Sequence, residues 1–218
     1  MQQRLLAVMQ REFTDALLRG DESAAELVLR EAVEAEIAEA EVDEAVIAPA
    51  LRAVGDLWEE GQLSVADEHL ATEIALRVVA LQREAYRVTR RRTRTVVVMA
   101  AVDGEQHVVG LRMAGSLLAH AGFDVKQLGP SVPAADLADL AGHHDAAVVG
   151  LSMTMASAAA ALDEALAAVR GARPAAGIVV GGAGLPDRLV EQPQIRRCRR
   201  ATEVVPVVDG LVQRASLN

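Results

Sequence analysis

The apolar residues of this 218-residue chain change their period near residue 90, and a chain that changes period has to build two kinds of structure. Before that point they recur at helical spacing. Leu5, Met9, Phe13 and Leu17 form one stripe, Val42, Val46, Ala50, Val54, Leu57 and Trp58 a second, and Ile74, Val78 and Leu81 a third. Gly20 ends the first predicted helix, and Asp21 or Ser23 caps another that runs to about Ala40. Pro49 gives the next helix a late start or a kink before it stops near Gly61. Ser64 opens the last one, with Asp67 three residues on completing a capping box. Four amphipathic helices with short turns predict an antiparallel bundle over residues 1–89.

The run RRRTR at 90–94 reads as a solvated linker, and the second cluster, Arg196–Arg200, as solvated surface. Beyond the linker, short apolar runs alternate with helical stretches. Thr95–Ala101, Asp124–Gln127, Ala146–Leu151, Gly177–Val180 and Glu203–Val205 are the predicted strands. Such alternation predicts a flavodoxin-like or Rossmann-like parallel sheet over residues 95–218. The ligand of such a fold sits at the C-terminal ends of its strands.

Composition narrows the classes. Apolar residues make up 51% of the chain but aromatics only 2%, so the core is Ala, Val and Leu, which pack closely or leave room for a non-protein group. The net charge of −9 is concentrated before residue 90, which argues against that half gripping a phosphate backbone. Cys198 is alone and forms no internal disulfide. No run approaches the roughly 20 apolar residues of a membrane span, and MQQRLLAVMQREF lacks the apolar core and cleavage site of a secretory leader. We expect a cytoplasmic protein with no membrane partner.

The strand ends exclude several ligands of the fold. A dinucleotide site needs G-x-G-x-x-G after the first strand, where this chain has AAVDGEQHVVG. A phosphoacceptor domain needs Asp at the end of the third strand, where Leu151-Ser152-Met153-Thr154 stands. A P-loop lysine is missing. What the chain has is Glu105-x-His107-x-x-Gly110, then 41 residues to Ser152-x-Thr154, then 26 residues to Gly181-Gly182.

These three pieces, at the ends of strands one, three and four, resemble the cobalamin-binding signature D-x-H-x-x-G, S-x-L and GG, with both gaps right. The resemblance covers about residues 95–210. It implies that His107 is the lower axial ligand of cobalt in place of the cofactor's own benzimidazole, with Glu105 accepting from the other ring nitrogen. A carboxylate so placed fixes the tautomer and tunes the ligand. The resemblance further implies that Ser152 hydrogen-bonds the displaced nucleotide tail, that Gly181 and Gly182 let backbone approach it, and that Gly110 leaves space at the first helix. Glu105 replaces the common Asp, and Thr154 the common Leu, which alters the packing of the tail.

A helical bundle ahead of such a domain is shared by corrinoid shuttle proteins of methyltransferase systems and by cobalamin-dependent photoreceptors. The photoreceptors carry Trp, nine residues, then Glu-His; here Trp58 is followed by nine residues and Glu68-His69. PALRAVGDLWEEGQLSVADEHLAT and the Glu-x-His-x-x-Gly variant resemble the same branch. The resemblance implies adenosylcobalamin, with Trp58 as an apolar lid over the adenosyl group, Glu68 as acceptor for its hydroxyls or amine, and Val65 lining the same space. For His69 we expect a structural hydrogen bond rather than metal ligation. Glu59 stands where DNA-binding photoreceptors have a His that captures cobalt after photolysis, so a bis-histidine photoproduct by that route is not expected. Nor is direct DNA binding, because the sequence opens on the first helix of the bundle.

The combination looks most like the photocobilins, which add a linear tetrapyrrole. That implies a bilin such as biliverdin as second chromophore, noncovalent because Cys198 lies in the other domain. The resulting expectation is a light sensor signalling through a conformational change, a partner or a homo-oligomer. The alternatives are a corrinoid methyl carrier and a cobalamin storage or delivery module. No hydrolytic or group-transfer machinery is visible in the sequence.

Overall fold

The computed structural model describes residues 2–86, 95–186 and 192–215, so the expected linker at 90–94 lies outside the described residues. The chain divides into two compact units, Met1–Val88 and Thr89–Asn218. They have the predicted classes, a helical bundle and a parallel α/β sheet.

The bundle contains α1 (Gln2–Leu18), α2 (Glu22–Glu34), α3 (Glu39–Val42), a π-helical turn (Asp43–Ile47), α4 (Ala48–Glu59) and α5 (Val65–Ala85). Met9, Phe13 and Leu17 are buried as the α1 stripe requires, but Leu6 replaces Leu5 in the core. Asp21 caps α2 by accepting from Ala24 N at 3.0 Å. That helix stops short of the expected Ala40: Glu36 takes a left-handed φ of 54° and turns Ile37 into the core at 3% exposure. The third predicted helix is α3, the π turn and α4 in continuous succession. The π turn answers the proline. Pro49 has no N–H, and its ring would meet the carbonyl four residues back in a regular helix; the widened turn, closed by Ala48 N–H donating to Asp43 O, lifts that conflict. Ser64 and Asp67 form the expected capping box, Asp67 N–H donating to Ser64 Oγ at 3.2 Å and Ser64 N–H to Asp67 Oδ2 at 3.1 Å. On α5, Ile74 and Val78 are buried, whereas Leu81 is 54% exposed and Gln82 takes the inward position.

The second unit is an all-parallel five-stranded sheet in the order β2-β1-β3-β4-β5, with β1 Val96–Val102, β2 Asp124–Val132, β3 Val148–Ser152, β4 Gly177–Gly181 and β5 Ile195–Cys198. Its helices are α6 (Val109–Ala121), α7 (Ala134–His143), α8 (Ala159–Ala172) and α9 (Val204–Ala215). Leu137, Ala141, Leu162, Ala165 and Val169 of α7 and α8 pack with Val98, Ala100, Val149, Leu151 and Val180 in one core. A sheet covered this way has near-continuous apolar strands, which is why β1 and β3 were legible as such.

Two expectations need correction. Glu203–Val205 is not a strand: Ala201–Glu203 is a 3-10 turn and Val204 begins α9. The β-branched run mimics a strand, yet Val204, Val208 and Leu211 are buried at helical spacing, and a proline fits the first helical turn. The edge strand lies instead in the arginine cluster, where Arg196 and Arg197 are half-buried rather than solvated. Arg196 donates to the Gln192 and Ile195 carbonyls, and Arg197 Nη2 to Pro186 O at 2.5 Å.

Candidate functional site

In the sheet order, β2 flanks β1 on one side and β3 on the other. The loops after β1 and β3 therefore diverge, and the crevice between them is where such folds bind ligands. Glu105 and His107 lie in the loop between β1 and α6, and Ser152 ends β3 with Thr154 just beyond it. Ser152 pairs in register with Gly181 of β4, so the three sequence pieces meet at one sheet edge.

Glu105 joins the two loops. It is wholly buried. Its Oε1 accepts from His107 N–H at 2.8 Å and lies 2.6 Å from His107 Nδ1. Its Oε2 accepts from the backbone N–H groups of Thr154 and Met155 at 2.6 and 2.8 Å. Burial alone would raise this carboxyl, but the His107 ring and the three backbone amides outweigh it and hold the group down at about 2. An ionised carboxylate only accepts, so Nδ1 of His107 carries a proton, and in the neutral tautomer this leaves the lone pair on Nε2. The His107 side chain is half exposed.

The glycines divide into two roles. A Cβ on Gly110, in the first turn of α6, would meet nothing within 4 Å, so the chain's own packing does not demand glycine there. Gly182 is different: its φ is +119°, and a Cβ would overlap the Met153 carbonyl. Gly184, not singled out from the sequence, is similar, its Cβ position overlapping the Thr154 carbonyl. These two residues seat the β4 loop on the backbone beyond β3, whereas Gly181 meets Cys198 O at an ordinary 3.5 Å. The only sequence signal for Gly184 was its place two residues after Gly182.

The other candidates lie in the bundle. Trp58, in the last turn of α4, is 41% exposed, and Val65, which opens α5, is 55% exposed. Trp58 is therefore not a core residue of its bundle. Glu68 follows one turn after Val65 and accepts from Thr72 Oγ1 at 2.9 Å. His69 Nε2 lies 3.6 Å from Glu68 Oε2, beyond a good hydrogen bond, with its ring largely exposed.

The donor set has a definite chemistry. Among the described residues no group of three or more His, Cys, Asp or Glu is arranged to cage a metal ion. One imidazole, oriented by a buried carboxylate beside open space at Gly110, suits the axial ligand of a metal already held by a macrocycle. These residues fit a corrinoid, and the class is that of cobalamin-binding proteins.

Residues 9–82 and residues 95–205 each match a family described as B12 binding domain; the chain belongs to that family. It is 39% identical over 142 residues to the HTH-type transcriptional repressor CarH of Myxococcus xanthus, covering 63% of this chain and 46% of that protein. The chain thus spans about half the length of that relative. It is 28% identical over 158 residues to dimethylamine corrinoid protein 3 of Methanosarcina acetivorans, covering 70% of this chain and 74% of that protein. The Methanosarcina barkeri monomethylamine corrinoid protein has the same fold, with a TM-score of 0.79 at 16% identity over 92% of this chain and 97% of that one. No helix among the described residues is long and apolar enough to cross a membrane.

Proposed function

We propose that this chain is a cytoplasmic light sensor that binds adenosylcobalamin, with His107 Nε2 on cobalt, and a noncovalent bilin such as biliverdin as second chromophore. Adenosylcobalamin supplies a light-absorbing corrin and a light-labile cobalt–carbon bond. His107, oriented by Glu105, would supply the imidazole nitrogen that holds the metal. Gly110 leaves room beside the ring, while Ser152, Thr154, Gly181 and Gly182 border the place of the nucleotide tail. The observation that carries the sensor reading is Trp58, a large aromatic face left 41% exposed, whereas Phe13 of the same bundle is fully buried in its core. Such a face suits a flat adenine-like group, and Glu68 and Val65, near the start of the next helix, suit its polar and apolar edges. Glu59 offers no second imidazole, so output passes through a conformational change to a partner protein or a second copy of the chain.

The test is the absorption spectrum of the purified chain with adenosylcobalamin, with and without biliverdin, before and after green and red illumination. We expect green light to change the cobalamin spectrum, and red light to do so only when biliverdin is bound. No biliverdin binding removes the second chromophore but leaves the cobalamin sensor. His107→Ala should weaken cobalamin binding by more than about 100-fold, since even residues that only orient a metal ligand are worth 10- to 100-fold. Wild-type affinity and spectrum in that variant would remove the assignment.

A corrinoid methyl carrier is the second reading, favoured by the fold shared with the monomethylamine corrinoid protein over 92% of this chain. Equal affinity for methylcobalamin and adenosylcobalamin, with no response to light, would select it over the sensor. A storage or delivery module would bind both forms without a methyltransferase partner.

A further inference from the structure

We propose that Ser131 is a positioning residue for His107; this rests on the reading of His107 as the lower ligand of cobalamin. Ser131 lies near the end of β2 with a φ of 48°. That is the left-handed region, which an L residue with a Cβ enters at a cost and which only Gly visits routinely. Three hydrogen bonds accompany the conformation. The Ser131 N–H donates to Glu105 O at 2.9 Å. Its Oγ accepts from Gly104 N–H at 3.0 Å and donates to Asp103 Oδ1 at 2.9 Å. One residue of β2 thus fastens Asp103, Gly104 and Glu105 in turn, two residues ahead of the imidazole.

The geometry gives the hydroxyl a task no apolar side chain can do. It both donates and accepts, and from an ordinary strand conformation the same residue would not present its N–H and its Oγ together to this loop. The Glu105 side chain runs the other way, to the amides of Thr154 and Met155 beyond β3. The loop that carries His107 is therefore tied on both of its flanks, by its backbone to β2 and by its carboxylate across the crevice to the β3 loop. Glu105 sets the ring of His107, and Ser131 sets Glu105. Gly104 N–H also has Asp103 Oδ1 at 3.0 Å, so losing the Ser131 hydroxyl loosens the loop without stripping that amide of its acceptor.

The experiment compares the full chain with Ser131→Ala and Ser131→Gly. Ser131→Gly removes the hydroxyl while relieving the left-handed strain, so it stays folded if Ser131→Ala does not. Three quantities are read: hydrogen exchange at residues 103–107 in the cofactor-free protein, affinity for adenosylcobalamin, and the nitrogen ligation of cobalt by electron paramagnetic resonance after reduction to the cobalt(II) form. We expect faster exchange in that loop, about five-fold weaker binding, the worth of roughly one hydrogen bond, and a smaller histidine-ligated fraction in both variants. Wild-type affinity and ligation in both would overturn the proposal, even if exchange is faster, because Ser131 would then support the loop and not the ligand. A wild-type chain that binds cobalamin without nitrogen from the protein would overturn the lower-ligand reading itself, and the proposal with it.

Discussion

Among the described residues each unit of this protein buries one carboxyl group, and the two have opposite fates. Glu105 in the sheet unit is wholly buried and receives three backbone amides and an imidazole, which hold it down at about 2. Asp43 in the bundle is 2% exposed on the π turn, and its Oδ2 has no hydrogen-bond partner. Burial, with a smaller push from the negative charge of Glu39, raises it to about 8. On α5 of the same bundle, Gln82 adds a buried Nε2 that also lacks a partner. Depth is nearly the same in the two places, so depth does not decide the charge; the donors aimed at the carboxyl do. The sheet unit has built a fixed negative charge beside its candidate ligand, while the bundle carries a neutral acid that its packing tolerates.

Glu105→Gln gives the sharpest break in that contrast. The amide puts an NH2 where Glu105 accepted from backbone N–H groups, so we expect a 10- to 100-fold loss of cobalamin affinity and a lower melting temperature of the sheet unit. Glu105→Asp is one methylene shorter and cannot reach both His107 and the Thr154 and Met155 amides, so it should fall between. Because Glu105 holds its proton less tightly folded than unfolded, its contribution is present above about pH 4 and fades as pH falls toward 2.

Asp43 predicts the reverse slope. It holds its proton more tightly when folded, so the bundle loses stability as pH rises from about 4 toward 8. Asp43→Asn is neutral throughout. Its gain over the wild type should therefore grow by about 1.4 kcal/mol for each pH unit across that range, reaching on the order of 4 kcal/mol near pH 7. Urea unfolding at pH 5 and pH 7.5 measures it; an equal gain at both would break the comparison.

The smallest effect on folding belongs to Trp58→Ala. An exposed side chain contributes little to the core, so we expect a stability change within about 0.5 kcal/mol. The preference for adenosylcobalamin over methylcobalamin should nevertheless drop about three- to ten-fold, the range of one aromatic stacking contact. Competition binding with the two cobalamins reads it directly.

What was legible in the sequence follows the same division. The β1, β3 and β4 runs are apolar because both sheet faces are covered, and the spacing from Glu105 to Ser152 to Gly181 survives because those residues end adjacent strands. The β5 edge was hidden, since Arg196 and Arg197 reach backbone carbonyls with charged tips that read as solvent. Glu203–Val205 reads as a strand because β-branched residues serve either structure until a partner is known. The early end of α2 carried no signal, as Glu36 adopts a positive φ without glycine. Glu105 was expected to meet His107, but its bonds to Thr154 and Met155 were not: they depend on a loop 49 residues away in sequence.

The π turn at Asp43–Ile47 also sets an angle. A turn closed five residues back holds one residue more than a regular one, and each residue advances the helix by about 100°. Every side chain of α4 is therefore rotated about the helix axis by that amount relative to an uninterrupted helix of the same sequence. Val42 and Val46 before or within the turn and Ala50 and Val54 after it still face inward, and Trp58, one turn beyond Val54, inherits its bearing from that phase. Insertion or deletion of a single residue here would leave the composition of the bundle nearly unchanged and swing the indole to another compass point.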